Sequence, residues 1–114
     1  MKIQYLEIVT TEVDKTCETY SLLHKVAFKE SDPILGGARV AEISNGGLIG
    51  IRAPLRDTEQ PTVRPYILVE NIEMTVKTAE KSGAEVAVPP MKLGEHGTCA
   101  IVIHHGIETG FWQL

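Results

Sequence analysis

Six side chains in this 114-residue sequence could together bind, and act on, a small polar molecule. Two are arginines, whose planar guanidinium groups capture anionic or polar groups through paired hydrogen bonds. Three are aromatic and would offer stacking surface, and one is a glutamate that could act as a general base if apolar neighbours raise its pKa. The six are Tyr5, Glu7, Arg52, Arg64, Tyr66 and Trp112.

The same residues also allow a purely structural interpretation. Charged side chains are rarely buried in proteins unless they are paired. Glu7 could therefore form an ion pair with Arg52 or Arg64 while the aromatic rings fill the protein interior. The sequence leaves the binding interpretation and the structural interpretation open.

The four histidines carry weaker signals. His104 and His105 precede a glycine turn, and adjacent strand residues point to opposite faces, so a solvated hairpin tip is favoured over a metal site. His24 lies at the end of a predicted helix, where the helix dipole accounts for it. His96 lies in a glycine-flanked loop that could close over a binding site.

Composition and charge narrow the class of protein. A hydrophobic content of 43% and a net charge of −4 are typical of a globular protein and argue against nucleic-acid binding. Cys17 and Cys99 lack metal-site spacing, and neither is a convincing nucleophile. Two cysteines would make only a thin disulfide framework for a small secreted domain, which favours a reducing compartment. The N-terminus lacks the apolar block of a signal peptide, and no apolar run approaches the roughly 18 residues that span a bilayer. The sequence therefore predicts a soluble, cytoplasmic protein.

The first half of the chain predicts a strand, a helix and three further strands. Residues 2–10 alternate as a strand does, and the apolar stripe of Val13, Cys17, Tyr20 and Leu23 predicts a helix that ends near His24. Strands are predicted at residues 26–30, 39–44 and 48–53, with a tight turn at residues 45–47 between the last two. Residues 54–65 contain three prolines and are expected to form an exposed linker.

The second half predicts the same order of elements. A strand at residues 64–70 leads to a helix that begins after Asn71, a good N-cap, and ends at Ser82 and Gly83. A strand at residues 85–88 is expected to end at Pro89 and Pro90. Strands at residues 98–104 and after Gly106 complete the half.

The two halves are copies of one module. Gly46 and Gly50 match Gly106 and Gly110, about 60 positions later, and two copies at this period indicate duplication rather than a solenoid. One helix can cover only one face of the sheet in a βαβββ unit. Two such sheets side by side could curve into a cup, which is a natural site for a small molecule.

The paired βαβββ pattern resembles the vicinal oxygen chelate superfamily, which includes glyoxalase I, extradiol dioxygenases, and fosfomycin- and bleomycin-resistance proteins. Residues 69–72 resemble that family's V-x-D-[VI] junction, residues 81–86 its x-x-G-A-x-V segment, and residues 106–113 its G-N-x-x-G-L-W-Q tail. The resemblance implies an α+β fold in which two tandem βαβββ modules form a curved mixed sheet. It implies a single domain over residues 1–114, made of modules 1–57 and 63–114.

The resemblance also implies where a divalent metal would be bound. Members of the family hold the ion with a His or Gln near the start of each module's first strand and a Glu on each last strand. In this sequence Tyr5 and Arg64 stand at the first positions, and Gly50 and Gly110 at the second. A guanidinium repels a metal ion, so the resemblance predicts that the metal site has been lost and that no cofactor is bound.

Two functions follow from the resemblance. The first is a metal-free binding protein, like the bleomycin-resistance members, that sequesters a polar or anionic ligand in the cup. The family's ligand positions imply that Tyr5, Glu7, Arg52, Arg64, Tyr66 and Trp112 point into this cup. The second is a lyase- or isomerase-like enzyme that uses Glu7 or a histidine, with or without a metal. A homodimer is expected, because a chain this small leaves sheet edges that a second copy can cover.

Overall fold

The computed structural model describes the backbone of residues 1–114 and every side chain except that of Asn45. The order of elements is strand, helix and three strands, twice over, which confirms the predicted α+β fold of two βαβββ modules. The chain divides into two compact units, Tyr5–Val63 and Arg64–Leu114, the second of which also contains Met1–Gln4. The predicted module limits, residues 1–57 and 63–114, stay a prediction.

The first module consists of four strands and one helix. β1 is parallel to β4, with Glu7 opposite Gly50, while β4 is antiparallel to β3 and β3 to β2. Single turns of 3-10 helix occupy Pro33–Leu35 and Ser44–Gly46. The elements are β1 (Ile3–Val9), α1 (Val13–His24), β2 (Ser31–Asp32), β3 (Ala38–Glu42) and β4 (Leu48–Arg52).

Helix α1 packs on one face of this sheet through a small apolar core. Cys17 is the buried residue of the helix, and it lies among Ile8, Ala41, Ile49 and Ile51. Burying a side chain such as isoleucine stabilises a fold by about 1.5–3 kcal/mol, so this cluster holds the helix in place. The opposite face of β1 is left to its alternate residues, among them Tyr5 and Glu7, because successive strand side chains point to opposite sides.

Two details of the first module differ from the sequence prediction. Leu23 was assigned to the apolar stripe of α1 but is 67% exposed, because the helix buries a narrow stripe centred on Cys17. The prediction of a strand over residues 26–30 is wrong. Val26 and Phe28 instead pack against the core, and one backbone bond, from Lys29 N–H to the Val40 carbonyl at 2.8 Å, ties this extended segment to β3.

The second module repeats the arrangement. β5 is parallel to β8, with Tyr66 opposite Gly110, and β8 is antiparallel to β7, which is antiparallel to β6. Ile72, Val76 and Ala100 form the core between helix and sheet. The elements are β5 (Thr62–Leu68), α2 (Ile72–Lys81), β6 (Glu85–Lys92), β7 (Thr98–His104) and β8 (Ile107–Gln113).

Helix α2 begins and ends where its sequence predicts. The side chain of Asn71 accepts a hydrogen bond from the backbone N–H of Met74 at 3.1 Å, which is the standard N-cap contact. Ser82 follows the last helical residue, and Gly83 adopts a positive φ of 98°, a conformation that glycine tolerates best.

Strand β6 is longer than predicted, because it continues through Pro89 and Pro90 to Lys92. Prolines lack the N–H that a central strand must donate, but an edge strand or a bulge tolerates them. β6 is paired to β7 with register shifts between Val86 and Val88 and between Val88 and Met91, so the prolines lie in an irregular stretch. The predicted linker is also shorter than expected, since β5 already begins at Thr62.

The last residues of β8 join three parts of the second module. The indole N–H of Trp112 donates to the carbonyl of His96 at 2.9 Å, and the side-chain oxygen of Gln113 accepts from the N–H of Ile72, the first residue of α2, at 2.8 Å. Gly97 is required beside them, because it has a φ of 115° and a Cβ there would overlap the carbonyl oxygen of Gln113. The Trp-Gln tail therefore secures a loop and a helix start.

Within the described residues, neither helix is long and apolar enough to span a bilayer.

Candidate ligand-binding site

Tyr5, Glu7 and Arg52 come together in the unit Tyr5–Val63. Tyr5 and Glu7 lie two residues apart on β1, and Arg52 ends β4, the parallel neighbour of β1. Their exposed fractions are 3%, 7% and 5%, so this face of the sheet buries two charged groups and a phenol. Such burial is tolerated because the charges compensate one another.

The guanidinium of Arg52 contacts two carboxylates. Its Nε donates to Oε2 of Glu7 at 2.9 Å. Its Nη1 and Nη2 donate to Oε1 and Oε2 of Glu59 at 2.9 and 2.8 Å, and Nη1 also donates to the carbonyl of Ala53 at 3.2 Å. The hydrogen bond with Glu59, followed by the charge of Glu7, raises the pKa of Arg52 above its ordinary value against the lowering effect of burial. Arg52 is therefore a permanent cation, and each of its three guanidinium nitrogens donates at least one hydrogen bond.

The phenol ring of Tyr5 occupies the space that a side chain at Gly50 would need. A Cβ at Gly50 would overlap Oη of Tyr5 and lie 2.5 Å from its Cζ. Burial, and then the negative charge of Glu7, raise the pKa of Tyr5 above its ordinary value, so the phenol stays neutral. Glycine is thus required at position 50, because the Tyr5 ring occupies the space that a side chain would need.

Arg64, Tyr66 and Trp112 lie in the other unit, in which Arg64 pairs with Glu108. Nε and Nη2 of Arg64 donate to Oε1 of Glu108 at 3.1 and 2.9 Å. The Arg64 side chain is 10% exposed and the Glu108 side chain 42%, so this pair reaches the surface whereas the pair of Arg52 and Glu7 does not.

Tyr66 and Trp112 pack edge to face in this unit, with ring centroids 5.6 Å apart at 86°. They are 5% and 2% exposed. A Cβ at Gly110 would overlap Cδ2 of Tyr66 and would lie 2.6 Å from its Cγ and 2.9 Å from the carbonyl oxygen of Pro65. Position 110 therefore has the same constraint as position 50: a tyrosine ring fills the room that a side chain would take.

The residues at the positions implied for a metal do not fit one. Gly50 and Gly110 provide no donor atom, and the rings of Tyr5 and Tyr66 fill the space from which a glutamate would reach. Arg64, at the remaining position, is a cation. In the described part of the chain, no group of three or more His, Cys, Asp or Glu side chains is arranged to hold a metal ion.

The histidines His96, His104 and His105 lie in or beside turns and loops, and both cysteines are buried. His105 is exposed at the turn after β7 with a φ of 54°, and its ring lies 5.8 Å from that of His104. His96 lies in a loop, and its backbone carbonyl accepts a hydrogen bond from the indole N–H of Trp112. Cys17 and Cys99 are buried thiols, and burial raises the pKa of Cys17, which opposes thiolate formation.

Sequence reasoning missed the two carboxylates that complete these pairs, Glu59 and Glu108. Glu59 lies in a segment predicted as an exposed linker, and its side chain is 16% exposed. Arg52 ends a strand and Glu59 lies in an irregular segment, so no helical or strand periodicity relates the two residues. Glu108 could have been suspected from the parallel pairing of β5 and β8.

A surface groove lies elsewhere, against helix α2. Its volume is about 610 Å³, and Val69, Met74, Thr78 and Phe111 are among the residues that line it. Phe111 and Trp112 are adjacent in β8 and therefore point to opposite faces of the sheet. The groove belongs to the helix-covered face and not to the face of Tyr66 and Trp112.

Comparisons with known proteins identify the fold. No known protein-family model matches the sequence, and no curated protein matches it. Among solved structures, a hypothetical protein from Bacillus halodurans is 18% identical, with a TM-score of 0.75 over 99% of this chain and 94% of that protein. A methylmalonyl-CoA epimerase from Streptomyces coelicolor is 18% identical, with a TM-score of 0.70 over 99% and 96%. The epimerase from Mycobacterium tuberculosis is 14% identical, with a TM-score of 0.72 over 97% and 86%.

These likenesses cover nearly the whole chain at low identity, so they show the fold and leave the activity open. Methylmalonyl-CoA epimerase is a member of the vicinal oxygen chelate superfamily. The fold predicted from the duplicated βαβββ pattern is therefore confirmed.

Proposed function

We propose that this protein is a metal-independent small-molecule binding protein of the glyoxalase and bleomycin-resistance type, and that its ligand is polar or anionic. The observation that carries the proposal is the buried guanidinium of Arg52, which is 5% exposed and lies at the end of β4. A buried arginine can recognise a carboxylate or phosphate group through two parallel hydrogen bonds, which is a task that other members of this fold assign to a metal.

The glycines at positions 50 and 110 support a function without a metal. Each is covered by a tyrosine ring, and neither could carry a donor side chain unless that ring moved. The rings of Tyr5, Tyr66 and Trp112 instead supply apolar and stacking surface. Together with Arg52, Arg64 and Glu7, they remain the proposed ligand-binding residues.

A compound screen by thermal shift tests the proposal. Carboxylates, phosphates and aromatic acids are added to the metal-free protein, and each stabilising compound is then measured by equilibrium dialysis. A ligand present at 100 times its Kd stabilises the folded state by about 2.7 kcal/mol, which is a readily measured shift in Tm. We expect anionic compounds to stabilise the wild-type protein.

Variants assign the binding to Arg52. Arg52→Gln should abolish it, and Arg52→Lys should weaken it, because lysine keeps the charge but loses the planar fork. Arg56→Gln is the matched control, since Arg56 is exposed and the charge change is the same. Circular dichroism establishes that each variant is folded. The proposal fails if no compound stabilises the protein, or if the stabilising compounds bind equally well to Arg52→Gln.

The alternative function is a lyase- or isomerase-like enzyme in which Glu7 is a general base. Glu7 is 7% exposed, and two of the similar structures are epimerases. An epimerase must remove and return a proton next to a carbonyl group. Exchange of that proton of methylmalonyl-CoA in D₂O, followed by NMR with and without added divalent metal, is the direct assay. Exchange that is lost in Glu7→Gln would replace the binding proposal with an enzymatic one.

We also propose that the protein is a homodimer and works in the cytoplasm. Two neighbouring leucines of α1 support the dimer, because Leu22 and Leu23 are 76% and 67% exposed and a partner could cover them. Light scattering on the purified protein gives the molar mass in solution. A value near the 12.5 kDa of one chain at all concentrations would rule the dimer out.

A further inference from the structure

We propose that Glu59 is an internal substitute for a ligand carboxylate, and that a carboxylate ligand binds Arg52 by taking its place. This inference rests on the proposed function, because it takes Arg52 as the cation that holds the ligand. It adds the class of the ligand and the step that must precede binding.

The contact between Glu59 and Arg52 has the geometry of carboxylate recognition. The two oxygens of Glu59 accept from Nη1 and Nη2 at 2.9 and 2.8 Å, as a free carboxylate does on a guanidinium fork. The backbone N–H of Leu55 adds a third donor to Oε1 at 2.7 Å. The internal occupant of this fork is a carboxylate, and we therefore take the ligand to carry the same group.

The segment that carries Glu59 is irregular and mostly exposed. Residues 53–61 contain neither helix nor strand, and most of their side chains are exposed, including Leu55 at 67%. A backbone bond from Glu59 N–H to the carbonyl of Arg56, at 3.1 Å, closes a turn within the segment itself. Segments with few buried apolar contacts open at low cost, so the loop is able to release Glu59.

When the loop opens, Glu7 still balances the charge of Arg52. Glu7 contacts Nε, and Glu59 contacts Nη1 and Nη2, so the two carboxylates use different edges of the guanidinium. With Glu59 withdrawn, Glu7 and Arg52 form a neutral pair whose outer edge can accept a new carboxylate. A buried cation without any partner, which would be costly, is avoided.

Chemical rescue of Glu59→Ala tests this inference. The variant removes the internal carboxylate, so added sodium acetate should occupy the vacated fork and raise Tm by several degrees relative to sodium chloride at equal ionic strength. Asp57→Ala is the matched control, because Asp57 is exposed in the same loop and loses the same charge. We expect the acetate-specific rise in Asp57→Ala to equal that of the wild type, and both to be smaller than the rise in Glu59→Ala.

Hydrogen exchange at the Leu55 amide tests the same step in the wild-type protein, in case Glu59→Ala does not fold. Acetate should speed this exchange several-fold over chloride, because the amide loses its acceptor when Glu59 leaves. An equal effect of inorganic phosphate would overturn the assignment to carboxylates. The absence of both the rescue and the faster exchange would overturn the displacement of Glu59. The compound screen on the wild-type protein decides the proposed function independently, so the two failures are distinguishable.

Discussion

Substitution of Gly50 by alanine should destabilise the protein through Tyr5. The added methyl group would overlap Oη of Tyr5 and lie 2.5 and 2.9 Å from Cζ and Cε1, far inside van der Waals contact. Tyr5 is 3% exposed and has little room to withdraw. Overpacking a core costs about 1–3 kcal/mol, and an overlap this close points to the upper end, about 3 kcal/mol.

A double-mutant cycle isolates the contribution of Tyr5 to this cost. Tyr5→Leu removes all three clashing atoms and should by itself cost roughly 2–4 kcal/mol, as truncations of buried aromatic residues do. In that background Gly50→Ala should cost much less, which gives a coupling energy of about 2 kcal/mol. Urea denaturation followed by circular dichroism measures the free energy of unfolding of all four proteins. A protein of this length has roughly 6–17 kcal/mol of stability at 0.05–0.15 kcal/mol per residue, so the variants should fold.

Gly110 provides the contrasting cycle. There the clashing atoms include the Pro65 carbonyl oxygen at 2.9 Å as well as the Tyr66 ring. Truncation of Tyr66 to alanine removes Cγ and Cδ2 but leaves the Pro65 oxygen, so it should relieve Gly110→Ala less completely, because a backbone atom of β5 cannot move aside. For Gly50, a coupling energy between positions 5 and 50 within about 0.5 kcal/mol of zero, which is the usual error of additivity, would refute the account in which the Tyr5 ring excludes a side chain at position 50.

Three further predictions concern single side chains. Asn71→Ala should cost about 1 kcal/mol in urea denaturation, because it removes the N-cap bond of α2; a cost near zero would contradict that role. Folding raises the pKa of Tyr5, so the stability that this residue contributes is complete below its unfolded pKa of 10.0 and should fall by about 1.4 kcal/mol per pH unit above it. Tyr5→Phe should remove that loss from unfolding curves measured between about pH 10 and 11. Glu7→Ala should cost about 2 kcal/mol, because it removes the acceptor of the buried Nε of Arg52 while Glu59 still balances the charge. Glu108→Ala should cost no more than about 1 kcal/mol, because the Glu108 side chain is 42% exposed; equal costs would contradict the difference in burial.

The predicted strands and helices agree with the structure best where a periodic pattern and a local contact coincide. Helix α1 has its predicted limits, and Asn71 caps α2 as expected. The prediction failed at residues 26–30, where β-forming residues pack against the core without a ladder, and at β6, which passes through two prolines. In both places the outcome depended on whether a neighbouring strand was available for pairing, and single-sequence periodicity does not contain that information.

The predicted site residues divide between the two compact units. Tyr5, Glu7 and Arg52 lie in one, and Arg64, Tyr66 and Trp112 in the other, with all six nearly or fully buried. The ion pair that the sequence left open, between Glu7 and one of two arginines, is formed with Arg52. Its presence is compatible with ligand binding and with a purely structural role, and the displacement of Glu59 is the step that separates the two.

The sequence by itself determined the duplicated βαβββ order, the limits of the helices and the glycines at positions 50 and 110. These features follow from local periodicity, turn chemistry and repetition, all of which are written along the chain. Only the tertiary structure decided that tyrosine rings cover those glycines and that Glu59 closes on Arg52. The reason is physical: ring packing and ion pairing depend on distances across parallel strands and a loop without a repeat, which residue spacing does not encode.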